Sequence, residues 1–206
     1  MSRSVLRTLM LAAGLSLALA SAARAEPPRW EYSLSGWAYF VPDDDDYLQP
    51  TVTADRGRLH LEGRYNYEAQ DSGSLWAGYS FAGGDELEWE LTPIGGGVFG
   101  DTDAIAAGFE AWLGWKKLEL YGEGEYVFDP SPDGSFFYSW SEASFWPLDW
   151  LRVGLASQRT RAYEAEREIG RGLLAGVAFE PLDLTLYVLD PDADDPTVIL
   201  AAGVSF

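Results

Sequence analysis

Glutamates alternate with apolar residues in several short segments of this chain, most clearly at Glu86–Glu90, where Leu87 and Trp89 stand between them. A side-chain period of two places such glutamates together on one face of a β-strand. A wall of carboxylates attracts cations and favours their passage where it lines an opening. The polar face is predicted to carry His60, Glu62, Arg64, Glu68, Glu86, Glu88, Glu90, Glu110, Glu119, Glu123, Glu125 and Arg152.

His60 is the only histidine, and it lies on this polar face beside Glu62. A histidine can act as the general base of a hydrolase when a serine nucleophile lies within hydrogen-bond reach. On the following strand Ser80 is nearer in depth than Ser74, but no pattern marks either as activated. A hydrogen-bonding role for His60 is favoured over catalysis. We expect no catalytic residue, no cofactor and no metal centre.

Three acidic segments resemble solvated loops: Asp43–Asp46, Asp129–Gly134 and Asp190–Asp195. The second begins like a calcium-binding loop, but Trp140 stands where the acidic twelfth residue belongs. Runs of charge commonly do no more than interact with solvent. Weak binding of divalent cations at these loops is therefore the less favoured interpretation.

The alternation predicts about twelve strands, and ten is the alternative count. It is regular at Leu59–Gln70 and Leu118–Phe128, and least regular after Phe136. Between the tenth and twelfth strands the polar face is lined by small residues such as Gly172 and Gly176. The predicted strands are 30–41, 48–55, 59–70, 74–82, 86–93, 104–113, 117–128, 136–146, 150–159, 169–180, 182–189 and 197–206.

The connections between these strands differ in length from one to the next. Tight turns alternate with longer, mostly acidic connections, of which Pro93–Asp103 contains the flexible-looking run Gly95–Gly97. This asymmetry is typical of membrane β-barrels, which have short periplasmic turns and longer outer loops. Aromatic residues on the short-turn side are expected to form an interfacial girdle. They are Trp30, Trp115, Trp146, Trp150, Phe179 and Phe206.

The N-terminus has the pattern of a secretory signal peptide. Arg3 and Arg7 precede an apolar stretch, and Ala23-Arg24-Ala25 is a small-residue cleavage site. We expect residues 1–25 to be removed and residues 26–206 to form one domain. The chain contains no cysteine, so neither a disulfide framework nor a lipoprotein anchor is available.

The last predicted strand ends the chain at Phe206. With the leader, the alternating strands and the aromatic girdle, this end resembles that of bacterial outer-membrane β-barrel proteins as a class. The resemblance implies an antiparallel transmembrane β-barrel in the outer membrane, in contact with lipid and lipopolysaccharide. It also implies that the outer-membrane assembly machinery reads the C-terminal strand. A soluble periplasmic β-sandwich or lipocalin-like barrel, with the apolar face inward, is the competing fold.

The formal net charge of −19 argues against nucleic-acid binding, which requires a basic face. It suits either attraction of cations or a high-salt habitat. The favoured function is a narrow, passive, cation-preferring channel with a glutamate-lined lumen. The first alternative is a non-conducting structural or accessory barrel with a plugged lumen, and a hydrolase using His60 ranks third.

Overall fold

The computed structural model describes residues 28–42, 45–101, 103–130, 134–162 and 168–206, so the expected signal peptide lies outside the described residues. In the described ranges no helix is long and apolar enough to cross a membrane. The strands are β1 (Glu31–Phe40), β2 (Tyr47–Arg56), β3 (Leu59–Tyr65), β4 (Ser72–Tyr79), β5 (Phe81–Gly83), β6 (Leu87–Gly100), β7 (Ala104–Trp115), β8 (Leu118–Phe128), β9 (Phe136–Leu148), β10 (Leu151–Ala162), β11 (Glu168–Phe179), β12 (Leu182–Leu189) and β13 (Thr197–Ser205).

These strands form one antiparallel sheet that closes on itself. Each strand pairs with its neighbours in sequence, except that β4 and β5 both pair with β6, and β1 pairs with β13 across the two ends of the chain. The short β5 continues β4 against β6 in the same register, with a break at Ser80. The barrel therefore has twelve staves, and the predicted twelve-strand transmembrane β-barrel is confirmed. A closed sheet leaves no open edge, so each of the twelve staves, with β4 and β5 counted as one, has two hydrogen-bonding neighbours.

The prediction of a loop at Pro93–Asp103 is wrong for most of this segment, because β6 continues to Gly100. The three glycines pair with β4, and Gly96 lies directly opposite Trp76. A Cβ on Gly96 would lie 2.7 Å from the indole of Trp76. The glycine run is therefore part of the wall, where it leaves room for a large inward side chain, and it is not a mobile loop.

Tight turns gather at one end of the barrel, the short-turn end, together with both ends of the described barrel. The longer connections gather at the other end, the long-loop end. Residues 66–71 form one of these connections, although the third predicted strand extends to residue 70. Parts of the first two acidic segments and of the β10–β11 connection lie outside the described residues.

The outer surface is apolar on every stave. Large exposed residues include Leu75, Ile105, Leu155 and Leu173, which are 55–69 % exposed. The inner surface is mostly polar, the reverse of a soluble barrel, so this exterior suits a lipid bilayer. The alternative of a soluble fold with an apolar interior is therefore rejected.

Aromatic side chains are concentrated on the outer surface of the barrel at its short-turn end. Tyr32 stacks between Trp30 and Phe206, and Trp150 stacks on Phe179 with ring centroids 5.9 Å apart. Trp146, predicted to belong to this girdle, instead points inward and is buried, and its neighbour Phe145 takes the exterior position. In a period-two strand a one-residue error transfers a side chain to the opposite face.

A lipid-facing charge tests this orientation. We expect Leu155→Arg, near the middle of β10, to lower the free energy of unfolding in vesicles by about 2–4 kcal/mol, since arginine is costly at the bilayer midplane. Leu182→Arg lies at the first residue of β12, next to the tight turn that precedes this strand. It should lower the free energy of unfolding by only about 0–1 kcal/mol. Denaturant titration in lipid vesicles measures both variants, and equal costs would contradict the assigned exterior.

Candidate functional site in the barrel lumen

The lumen contains an unusual concentration of buried carboxylates. Among the described residues, two arginines, Arg64 and Arg152, and one histidine are also buried there. Buried charges are stable only when paired or hydrogen-bonded, so the arrangement of these groups determines what the lumen can do. The seven buried carboxylates are Asp55, Glu62, Glu68, Glu90, Glu110, Glu125 and Glu142.

Arg64 on β3 is the centre of the larger group, which we name the Arg64 cluster: Arg64, Glu62, Glu68, Glu110 and Glu125. Its Nη1 donates to Glu125 Oε2 at 2.9 Å and its Nη2 to Glu62 Oε2 at 2.8 Å. Nη2 also lies 3.4 Å from Glu110 Oε1, and Nη1 lies 3.7 Å from Glu68 Oε1. One guanidinium thus joins β3 to β7 and β8, strands that are not its neighbours in the sheet.

Glu68 reaches this cluster from outside the strands. It lies in the connection between β3 and β4, yet its side chain turns back into the lumen and is buried. Ser74 Oγ and Trp76 Nε1 donate to Glu68 Oε1 at 2.7 and 3.1 Å. Arg64 also lies over the rings of Tyr67 and Trp76, at 4.3 and 5.0 Å from their centroids. The cluster is therefore enclosed by aromatic as well as acidic groups.

His60 lies close to the tight turn between β2 and β3, where it pairs with Asp55 across the hairpin. Its Nδ1 is 2.8 Å from Asp55 Oδ1, and its Nε2 is 3.6 Å from Glu62 Oε2. The Ser80 hydroxyl lies 2.9 Å from Thr92 Oγ1. The histidine thus contacts two carboxylates and Ser80 pairs with a threonine, which is not the serine–histidine pairing of a hydrolase.

Arg152 on β10 holds a second network. Its Nη1 donates to Glu142 Oε2 at 2.8 Å, and its Nη2 donates to Thr185 Oγ1 at 2.9 Å and Tyr187 Oη at 3.1 Å. Tyr187 and Trp140 Nε1 both donate to Glu142 Oε1. Glu142 was missed in the sequence because the alternation is unclear there. Its signal was the run Tyr138, Trp140, Glu142, Ser144, which occupies alternate positions.

Aromatic rings cross the lumen above this network. Trp37 on β1 contacts Trp140 on β9 edge-on at 5.2 Å and stacks on Tyr187 at 5.1 Å. A small residue on β11 makes room for the network below these rings: a Cβ on Gly176 would lie 2.6 Å from Thr185 Oγ1 and 3.1 Å from Arg152 Nε. The predicted smooth wall therefore provides space that large side chains from other strands occupy.

The remaining predicted lumen residues fall into three groups. Glu123 accepts hydrogen bonds from the hydroxyls of Tyr67 and Tyr121 and is half-buried. Glu88 and Glu119 are half-buried on β6 and β8, and Glu90 is buried. Glu86 is exposed in the turn before β6, so it lies outside the wall. The prediction placed it in a strand because the alternation continues one residue into that turn.

A cavity of about 80 Å³ lies in the lumen near the short-turn end. Ser35, Trp37, Glu119, Glu142 and Arg152 are among its lining residues. This volume accommodates only a few water molecules. Asp183, a further acidic residue not predicted from the sequence, also lines it.

The third acidic segment is partly ordered by its own hydrogen bonds. Asp190 Oδ1 accepts from the Arg171 backbone N–H at 3.1 Å, and the Asp190 carbonyl accepts from Ala193. Asp192, Asp194 and Asp195 are exposed. This geometry fits a capped turn with solvated charges.

Comparison with known proteins shows the fold. No family model matches the chain, and no curated protein matches it. Among solved structures the KdgM porin superposes with a TM-score of 0.62 at 10 % identity, covering 84 % of this chain and 99 % of that one. A KdgM porin complexed with disordered oligogalacturonate gives 0.63 at 9 % identity, with the same coverage. Omp33 of Acinetobacter baumannii gives 0.43 at 10 % identity, covering 88 % of this chain and 100 % of that one.

The chain therefore has the fold of the bacterial outer-membrane β-barrel proteins, and the class predicted from the sequence is confirmed. The fold and the apolar exterior agree with the predicted location in the outer membrane.

Removing the guanidinium of the Arg64 cluster tests how much the cluster contributes to the stability of the folded barrel. We expect Arg64→Met to destabilise the folded barrel by about 3–5 kcal/mol, because it leaves buried carboxylates without their cation. The double variant Arg64→Met/Glu125→Gln should recover part of that loss. Denaturant midpoints, followed by the gel-mobility difference between folded and unfolded barrel, measure both. A single variant as stable as the parent would contradict the pairing.

Proposed function

We propose that this protein is a small, passive outer-membrane channel that prefers cations and is restricted to water and small ions. The observation that carries the proposal is the excess of carboxylates over cationic groups on the lumen face. Seven carboxylates are buried there against Arg64, Arg152 and His60 among the described residues. The porin-type fold supplies the transmembrane path, and the charge supplies the preference.

The half-buried glutamates are the groups that a passing ion would meet. Glu119 borders the lumenal cavity together with Tyr121, and Glu123 lies two positions farther along β8. The buried carboxylates of the Arg64 cluster add their field without direct contact. In a narrow, low-dielectric passage such charges raise the local concentration of cations and exclude anions.

The aromatic contacts limit the size of the solute. Trp37, Trp140 and Tyr187 meet across the lumen, and the cavity beside them holds about 80 Å³. Ring centroids only 5.1–5.2 Å apart leave no opening for a sugar ring between these three side chains. We therefore infer that neither a monosaccharide nor an oligosaccharide passes while these three residues are in contact.

The ligand named for the structural neighbour does not transfer to this chain. One of the matched KdgM porin structures contains oligogalacturonate, an acidic sugar chain. A lumen with an excess of carboxylates repels such an anion. The likeness in backbone fold therefore supports a channel, whereas the lumen charge favours a different solute.

Four sequence-based hypotheses on partners and processing accompany this proposal. The exterior would contact outer-membrane lipid and lipopolysaccharide, and the strand ending at Phe206 would be read by the assembly machinery. The signal peptide at residues 1–25 would direct export. Weak divalent-cation binding at the acidic loops completes the set.

Ion selectivity is the direct test. In planar bilayers under a KCl gradient, we expect small current steps with a cation-selective reversal potential. Glu119→Gln and Glu123→Gln, singly and together, should shift the reversal potential towards zero, because each variant reduces the preference for cations. Glu86→Gln is the matched control, because Glu86 is exposed outside the wall, and it should leave the potential unchanged. Anion selectivity in the parent would contradict the proposal.

The second candidate is the non-conducting barrel with a plugged lumen, which the aromatic contacts across the lumen favour. We expect Trp37→Ala to raise single-channel conductance, since the truncation enlarges the cavity that Trp37 lines. Recording the parent and this variant side by side separates the two candidates. No current from either folded barrel would favour the plugged barrel, and current in both would favour the channel.

A further inference from the structure

We propose that the lumen binds a divalent transition-metal ion, with Zn²⁺ the best fit, through His60, Glu62 and Glu110. Each of these residues offers one ligand atom, and the three atoms lie within 4.8 Å of one another. All three residues are buried. The site is independent of ion conduction, because its ligands are buried side chains that contact one another inside the barrel and need no open pore.

The imidazole is the residue that points to a metal. His60 is 1 % exposed, yet its Nε2 has no hydrogen-bond partner within the described part of the chain. It faces Glu62 Oε2 at 3.6 Å. Ligands about 2.0–2.2 Å from a tetrahedral zinc lie about 3.4 Å from each other, so this spacing needs little adjustment.

Asp55 prepares the histidine for this role. Its Oδ1 accepts from His60 Nδ1 at 2.8 Å and is buried. Metal-binding histidines commonly donate their other ring N–H to a carboxylate, which fixes the ring and directs the second nitrogen at the metal. Asp55 is thus a positioning residue, while His60 provides the Nε2 lone pair. A proton on Nε2 would leave to solvent when the metal binds.

Glu110 supplies the second unpartnered atom. Its Oε1 lies 3.4 Å from Arg64 Nη2, whereas its buried Oε2 has no hydrogen-bond partner among the residues described. One oxygen can therefore remain near Arg64 while the other binds the ion. Zn²⁺ accepts a ligand set of one histidine and two carboxylates, and its tetrahedral geometry leaves a fourth position for water.

Local charge favours the ion as well. Among the described residues, Arg64 and His60 are the cationic groups of this part of the lumen. Five carboxylates lie within 3.7 Å of one or the other: Asp55, Glu62, Glu68, Glu110 and Glu125. A divalent cation would offset much of this excess, which is otherwise costly in a buried site. The spacing His60-x-Glu62 already places two ligands on one strand face. Glu110 joins them only through the barrel's closure.

The experiment uses the fact that the chain has a single histidine. The refolded barrel is labelled with ¹⁵N in histidine only, carries a purification tag without histidine, and is titrated with Zn²⁺ in detergent micelles. We expect the His60 Nε2 signal to shift and to saturate at one equivalent. Ca²⁺ is the control cation, because it prefers oxygen ligands and would occupy acidic loops without moving this signal.

Variants establish the ligand set. Glu110→Gln should weaken Zn²⁺ binding by at least the 10–100-fold typical of second-shell changes, and Asp55→Asn by about 10–100-fold. Glu119→Gln, a lumen carboxylate outside the site, should bind as the parent does. Gel mobility before and after heating verifies that each variant is folded.

Two results would overturn the site. The first is a His60 signal that does not move with Zn²⁺ in the folded parent, which decides the matter even if a variant fails to fold. The second is that folded Glu110→Gln and folded Asp55→Asn bind Zn²⁺ with the same affinity as the parent, as measured by the His60 signal. One case of the first result is Zn²⁺ that binds without any change at His60, which would assign the ion to the loops and refute the proposal. None of these results depends on whether the barrel conducts.

Discussion

Closure of the sheet is the constraint on which the rest of this structure depends. In a bilayer an unpaired backbone N–H or C=O group is costly, so the strands cross only if each has two neighbours. The β1–β13 and β4–β6 pairings complete the circle. Closure then fixes the two faces of every strand: most leucines and many aromatic residues face lipid, whereas polar residues and a few large aromatic side chains face a narrow interior. The lumen chemistry follows from this inversion.

The narrow interior imposes a second requirement, because carboxylates that cannot reach bulk water need partners. Arg64 and Arg152 meet it by bonding across the lumen to strands that are not their neighbours. The aromatic rings of Trp37, Trp140 and Tyr187 fill the remaining width. The proposed selectivity would arise from the carboxylates, and the proposed restriction by size from the aromatic rings. The proposed zinc site uses His60 Nε2 and Glu110 Oε2, which have no hydrogen-bond partner among the described residues.

The sequence predicted the architecture well where the period of two is clean. Along β3 and β8 the inward and outward residues lie on the predicted faces, including His60 and Glu125. Prediction failed where a residue's local signal was ambiguous. Gly95–Gly97 indicated a loop because glycine is unfavourable in a strand, whereas packing against Trp76 outweighs that preference. Glu142 and Trp146 were missed or misplaced because aromatic residues on both faces of β9 obscure the alternation.

By itself, the sequence determined that the chain forms two-faced strands, that these number about twelve, and that one face is acidic. These properties are local, since they depend on side-chain period and composition. Only the tertiary structure decided which acid meets which cation. Arg64 and Glu125 are 61 residues apart, and they touch because the strands tilt and stagger around a closed barrel. Lumen width and the meeting of His60 with Glu110 depend on the same closure, which no local pattern encodes.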